Sequence, residues 1–226
     1  ALAIVQAVST GLNADGEEAT RIKFLQGKEV KTLSVDEDTE SGSEFAASVK
    51  VGDIFQYSGG SEEISKAEII FQQKAQDGKM GLSDYAKEIN GDEKNKTKYA
   101  FGVVEEYKNW NLVLYEDVPA DEQGNKLSGT DLKAINSDDF SVMKEEGCTL
   151  ALMDMNKLDR QPSSAIQSVS NLKSAPTNFK PGKNRYLAVV RLDGSDTVDA
   201  VQVIVDNNWS VEDIQNNCAF DISLGK

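Results

Sequence analysis

The sequence predicts an all-β chain: two duplicated small β-barrel or sandwich modules joined by a polar linker with a short helix. Three observations carry this. Apolar residues recur with a period of two, one hairpin pattern occurs twice, and almost no long stretch shows the 3.6-residue period of an amphipathic helix. The clearest strand runs from Arg185 to Leu192, with Tyr186, Ala188, Val190 and Leu192 on one side and Arg185, Leu187, Val189 and Arg191 on the other. It reads as half-buried.

The first hairpin pairs Leu2 to Val8 with Arg21 to Leu25, and Val30 to Val35 follows. Gly52 and Asp53 introduce Ile54 to Tyr57, a Gly59-Gly60 turn, and a return run from Ile64 to Phe71. These elements define a first module over residues 1–75. Residues 76–97 are rich in Lys, Asp, Glu, Gly and Asn and read as a linker, with a short helix around Leu82 to Ile89. Residues 98–226 form the second module, which carries a long insertion and a C-terminal tail. It opens with Phe101 to Tyr107 returning through Leu112 to Tyr115. The insertion, Pro119 to Asn184, holds strand-like pieces at Thr149 to Met155 and Ala165 to Leu172. After Arg185 to Leu192, the turn residues Asp193, Gly194 and Ser195 lead into the β-branched run Val198 to Val205. In the tail, Ser210 is a reasonable N-cap for a helical turn over Val211 to Asn216.

The duplication is read from a gapless alignment of the later hairpin of each module. Gly60, Ser61, Glu62 and Ile64 face Gly194, Ser195, Asp196 and Val198, and Ala67 to Phe71 face Val201 to Val205. Size and polarity track, although few positions are identical.

Composition narrows the function. Lys and Arg number 24 against 38 Asp and Glu, a net charge of −14, so nucleic acid and anionic membrane surfaces are poor partners. No apolar stretch approaches the roughly 20 residues that cross a bilayer, so membrane insertion is not expected. The chain opens at Ala1 without an initiator Met, which suggests a processed piece. The sequence contains no His, and Ser-His-Asp and Cys-His catalysis go with it. Gly59-Gly60 lies between strands, where it serves a turn rather than a phosphate cradle. No enzyme is expected and no cofactor is implied.

Calcium is the metal the loops could accommodate. Asn13, Asp15 and Glu17 alternate around Gly16, and Asp36 and Asp38 alternate in the next acidic loop, although neither run completes an EF-hand. The competing reading is a polar hairpin turn. Trp110, among Lys108, Asn109 and Asn111 at a hairpin tip, is the candidate contact residue for a sugar or a partner. Cys148 and Cys218 match no zinc, haem or redox spacing; a disulfide between them stays open.

The run Val49 to Tyr57, with its Gly52-Asp53 step, followed by a turn and Glu63-Ile64, resembles a β-barrel module of S-layer-homology (SLH)-type cell-surface proteins of Gram-positive anaerobic bacteria. Ala14-Asp15-Gly16-Glu17, and Gly27-Lys28-Glu29 ahead of Val30 to Val35, are similar to the same module. The resemblance covers the first 75 residues and the second module in outline. It implies an extracellular protein at the cell-envelope surface and carries over no catalytic residue. The function expected is a non-catalytic structural or adhesive module that self-associates or acts as a spacer. Its expected partners are other copies of itself or envelope polymers. A virion structural protein (tail, capsid or decoration) and a carbohydrate-binding module are the alternatives.

Overall fold

In the computed structural model the described residues are 1–74, 78–108, 111–118, 134–135, 146–174, 185–194, 196–206 and 208–224. The chain opens with an antiparallel meander of β1 (Ala3–Leu12), β2 (Glu18–Gln26) and β3 (Glu29–Val35). The β1–β2 turn is a three-residue loop with Gly16 at φ 85°, closed by Gly16 N–H donating to Asn13 O at 3.2 Å and Asn13 N–H to Glu17 O at 2.8 Å. Helix α1 (Glu40–Ser48) follows, capped by the Thr39 hydroxyl, which accepts from Gly42 N–H. Only glycine fits at 42, because a Cβ there would lie 1.9 Å from Asp36 O.

Strands β4 (Ile54–Gly59) and β5 (Glu63–Gln72) complete the first module. β4 pairs with both β1 and β5, and β5 runs parallel to β3, so five strands close into a barrel in the order β1-β2-β3-β5-β4. This is the connectivity of a Greek-key barrel of the OB type. Phe45 of α1 plugs its interior against Phe55, with ring centroids 5.0 Å apart.

The segment that composition marks as a linker holds β6 (Met80–Leu82), buried at all three positions, and helix α2 (Asp84–Gly91), N-capped by Ser83. Asn90 takes the place of a ladder residue: its amide donates to Tyr99 O and accepts from Tyr99 N–H, both at 2.8 Å.

The second sheet is built from β7 (Thr97–Lys108), β8 (Asn111–Tyr115), β9 (Ala134–Ile135), β10 (Leu150–Asp154), β11 (Ile166–Ser168), β12 (Arg185–Asp193) and β13 (Asp196–Val205). A short helix, α3 (Pro162–Ala165), precedes β11. Strand order is β11-β10-β13-β12-β7-β8-β9. Here β7, β8, β12 and β13 repeat the pairing of β1, β2, β4 and β5, and β10 lies parallel to β13 as β3 lies parallel to β5. The pairing pattern of the first module therefore recurs in the second, although among the described residues the second sheet is open while the first closes.

The tail returns to the first sheet. Helix α4 (Val211–Asn217) begins at a Ser210–Asp213 capping box, and β14 (Cys218–Ala219) pairs parallel with β6. Phe101 and Asp221 then exchange backbone bonds at 2.8 Å in both directions.

Three apolar layers hold the elements. Ala3, Val5, Phe24, Phe55 and Ile64 fill the first barrel, and Ala100, Leu114, Ala188, Val190 and Ala200 form the inner face of the second sheet. Between them lies the largest layer, where the outer faces of the modules meet: Leu2, Ile4, Ile54, Ile70 and Phe71 pack with Phe101, Val103, Leu187, Val189, Val201 and Val203. Phe71 and Phe101 meet edge to face at 5.0 Å.

This layer corrects two expectations. The strand at Arg185 to Leu192 is buried on both faces, because the side expected to meet water meets the first module instead. The gapless alignment also swaps faces: Ala67 points into its barrel, whereas Val201, set beside it, points into the shared layer. Faces agree when Tyr57 is set beside Val190 and Ala67 beside Ala200, a one-residue shift of the alignment that leaves the two hairpins equal in length and sets the irregularity at Ser58/Gly59 beside that at Arg191/Leu192.

Candidate functional site

The candidate site is a pocket of about 780 Å³ at the seam between the modules. One wall is the β2–β3 turn, where Gly27 at φ 60° occupies the first of two loop positions, a backbone that residues with a Cβ rarely adopt. The opposite wall is the approach to β10 (Glu146, Gly147, Cys148, Leu150) together with Ser168 to Ser170 at the end of β11.

Thr149, fully buried, fixes the two walls. Its hydroxyl donates to Leu2 O at 2.6 Å and accepts from Gly27 N–H at 2.7 Å, while its own N–H donates to the Asp199 carboxylate at 2.6 Å. Ser168 Oγ reaches Gly27 O at 3.4 Å, and Gln6 Nε2 donates to Ile166 O at 3.4 Å. Inside the pocket, Gln26 Oε1 accepts from Lys31 Nζ at 3.3 Å and Tyr57 OH at 3.2 Å, and Lys31 lies 3.8 Å from Glu29. Lys28, Lys31, Glu29 and Glu146 interleave both signs of charge around a small apolar floor of Leu150 and Val169. The pocket suits an uncharged polar guest better than a strong ion.

A second polar feature crosses the shared layer. Tyr99 OH donates to Gln56 of the first module and is hydrogen-bonded to Arg191, whose guanidinium lies 3.4 Å from the Asp199 carboxylate. Desolvation pushes the Tyr99 phenol up to about 12, so it stays a donor at neutral pH.

The acidic loops named from sequence do share one end of the barrel. Glu63 is held above the ordinary carboxylate range by desolvation first, then by Asp36, Asp15 and Asp38. The Asn13 amide oxygen is occupied by Asp15 N–H at 3.1 Å and Glu17 N–H at 2.8 Å, and Asp36 Oδ1 accepts from Asp38 N–H at 3.2 Å. Glu37 turns away to accept from Thr20, which holds its pKa low. Among the described residues no group of three or more Cys, Asp or Glu is placed to hold a metal ion. Trp110 lies outside the described residues.

Cys148 lines the pocket half-buried, whereas Cys218 is buried in the shared layer with its thiol pushed up to about 12 by desolvation; they form no disulfide. Sequence reasoning missed Asp53 as a titrating group. It is 2% exposed, its carboxylate accepts from Lys50 N–H at 2.9 Å and from Gln73 N–H, and burial still pushes it up to about 6. Its signal was the Gly52-Asp53 step, since Gly52 at φ 86° sets the turn that buries the carboxylate.

No known protein family, no characterised protein and no solved structure matches the chain. No helix among the described residues is long and apolar enough to cross a membrane.

Proposed function

We propose that the chain is a non-catalytic structural module of a bacterial cell-surface protein, a stiff double unit that separates or joins other parts of an envelope layer. The observation that supports it is the shared layer: two barrel-like modules bury their outer faces against each other and are tied across the seam by Thr149 and Tyr99. Modules joined by a bare tether would bend independently, whereas a large apolar interface removes that freedom. An acidic surface and many short, well-turned strands suit such a part. Antibody labelling of intact producing cells tests the setting. Surface label that survives washing supports the reading, and label found only after lysis overturns it.

The seam pocket favours a second reading, a carbohydrate-binding module, because its mixed charges and Ser and Gln side chains could satisfy a polyhydroxyl guest. Isothermal titration against cell-wall glycans separates the two. Saturable heat that disappears in Gln26→Leu selects the binding module, and absence of heat removes it.

A further inference from the structure

The β1–β2 arm outruns the barrel. β1 pairs with β4 only at Ala3 and Ile4, and the contact ends one step later, where Val5 exchanges bonds with Gly52 and Asp53. An irregularity at Gln6 then turns the strand, and from Ala7 to Leu12 its ladder is with β2 alone. Asn13 N–H donating to Glu17 O sets the phase of that ladder. Hydrogen-bonded and non-hydrogen-bonded pairs alternate, so Gly11, Ser9 and Ala7 bond to β2 while Val8, Thr10 and Leu12 turn their N–H and C=O outward. No described residue receives them.

Free edges are normally blunted by charge, proline or short length. This edge has none of these protections: Ala7 to Leu12 contains no charged residue and no proline in a chain that is 27% charged. Two of the exposed large hydrophobic side chains, Val8 at 39% and Leu12 at 62%, lie on it with Thr10 between them. Charge is arranged along the arm instead. The tip carries Asp15, Glu17 and Glu18; the root carries Arg21 and Lys23, with Lys50 in the loop that fastens Val5. The Arg21 side chain lies flat across β1, since a Cβ at Gly11 would meet its Cδ at 2.5 Å.

We infer that two copies of this chain pair antiparallel through their Val8–Leu12 edges, joining β1 to β1 about a two-fold axis. Only the antiparallel arrangement sets each acidic tip beside the other copy's basic root. The neutral edge is also where two chains of charge −14 approach at least electrostatic cost. Such an isologous contact closes on itself, so it yields a dimer rather than a filament. The inference rests on the structural-module reading and gives that module its contact surface.

Sedimentation velocity over rising concentration tests it, using the full chain, Thr10→Pro, and a Val8→Lys, Leu12→Lys double variant. Thr10 donates its N–H away from β2, so proline removes no bond of the fold. The expected result is a monomer–dimer equilibrium for the wild type and loss of dimer in both variants, with melting temperature retained. If Thr10→Pro fails to fold, the lysine variant, altered only at exposed positions, decides alone. A wild type that stays monomeric, or a dimer that survives in the folded variants, overturns the inference. Neither outcome touches the spacer reading, which the surface labelling judges.

Discussion

Asp53 makes stability rise as pH falls, against the usual behaviour of carboxylates. Its folded-state pKa is about 6, against 3.8 for an ordinary Asp, with burial as the first cause, opposed by hydrogen bonds from Lys50 and Gln73 N–H and by the Lys50 charge. A carboxyl group whose folded pKa is raised gives stability that is fully present below the unfolded value and lost as pH rises through the folded one. At roughly 1.4 kcal/mol per pH unit, the window between 3.8 and about 6 corresponds to about 3 kcal/mol lost between pH 4 and pH 7. Other groups titrate in the same range, so the measurement is a difference. Asp53→Asn keeps one oxygen for Lys50 N–H but turns an amide N–H₂ toward Gln73 N–H, an unpaired donor that costs roughly 1–3 kcal/mol at every pH. Urea midpoints of both proteins, taken from pH 4 to pH 8, should therefore show the wild type's advantage shrinking by about 3 kcal/mol as pH rises. A gap that stays constant across that range, or widens with pH, would refute the reasoning.

Phe71→Ala removes a fully buried ring from the shared layer and its edge-to-face contact with Phe101; a loss of about 3–5 kcal/mol in chemical denaturation is expected, and a loss under about 1 would mean the layer is not close-packed there. Thr149→Val keeps the shape but leaves Leu2 O and Gly27 N–H without their partner, so a loss of about 1–3 kcal/mol is expected; an unchanged midpoint would show the seam tie to be dispensable. Cys218, 4% exposed with a raised thiol pKa, should resist a maleimide at neutral pH until the protein unfolds, while Cys148 labels first; mass spectrometry of digests reads the order, and early labelling of Cys218 would contradict its burial.

Strand identity was legible because period two leaves a trace wherever one face is apolar. The runs at Ile54 to Tyr57, Ile64 to Phe71 and Val198 to Val205 lie within β4, β5 and β13, and the Ser210 cap starts α4 where the sequence placed it. What could not be read was which face meets what. Leu187 and Val189 are as apolar as Ala188 and Val190, so alternation shows two apolar faces and says nothing about a second module lying on one of them. The face swap between Ala67 and Val201 has the same origin, since a one-residue slip of the alignment leaves no mark when both faces are apolar. The pocket was invisible for another reason. Gln26, Lys31 and Glu146 are ordinary surface residue types, and Thr149 brings their segments together across more than a hundred residues of sequence.

The same two-sided strands decide whether the modules can be parted. A barrel that stands alone needs apolar residues only inside, yet Leu2, Ile4, Leu25, Ile54, Ile70 and Phe71 point out of the first barrel and are all 0–2% exposed because β6, α2 and the second module cover them. Residues 1–75 expressed by themselves would uncover these six side chains at roughly 1.5–3 kcal/mol each, a sum of the order of a whole domain's stability. Left with the interior layer built around Phe24, Phe45 and Phe55, a chain of that length has little margin, and the uncovered patch would invite aggregation. The fragment should bind a hydrophobic dye, melt broadly and grow in mass with concentration by a route that Thr10→Pro does not block. A monomeric fragment with a sharp melt and no dye binding would show instead that the modules are independent and that the shared layer is a docking surface between finished domains.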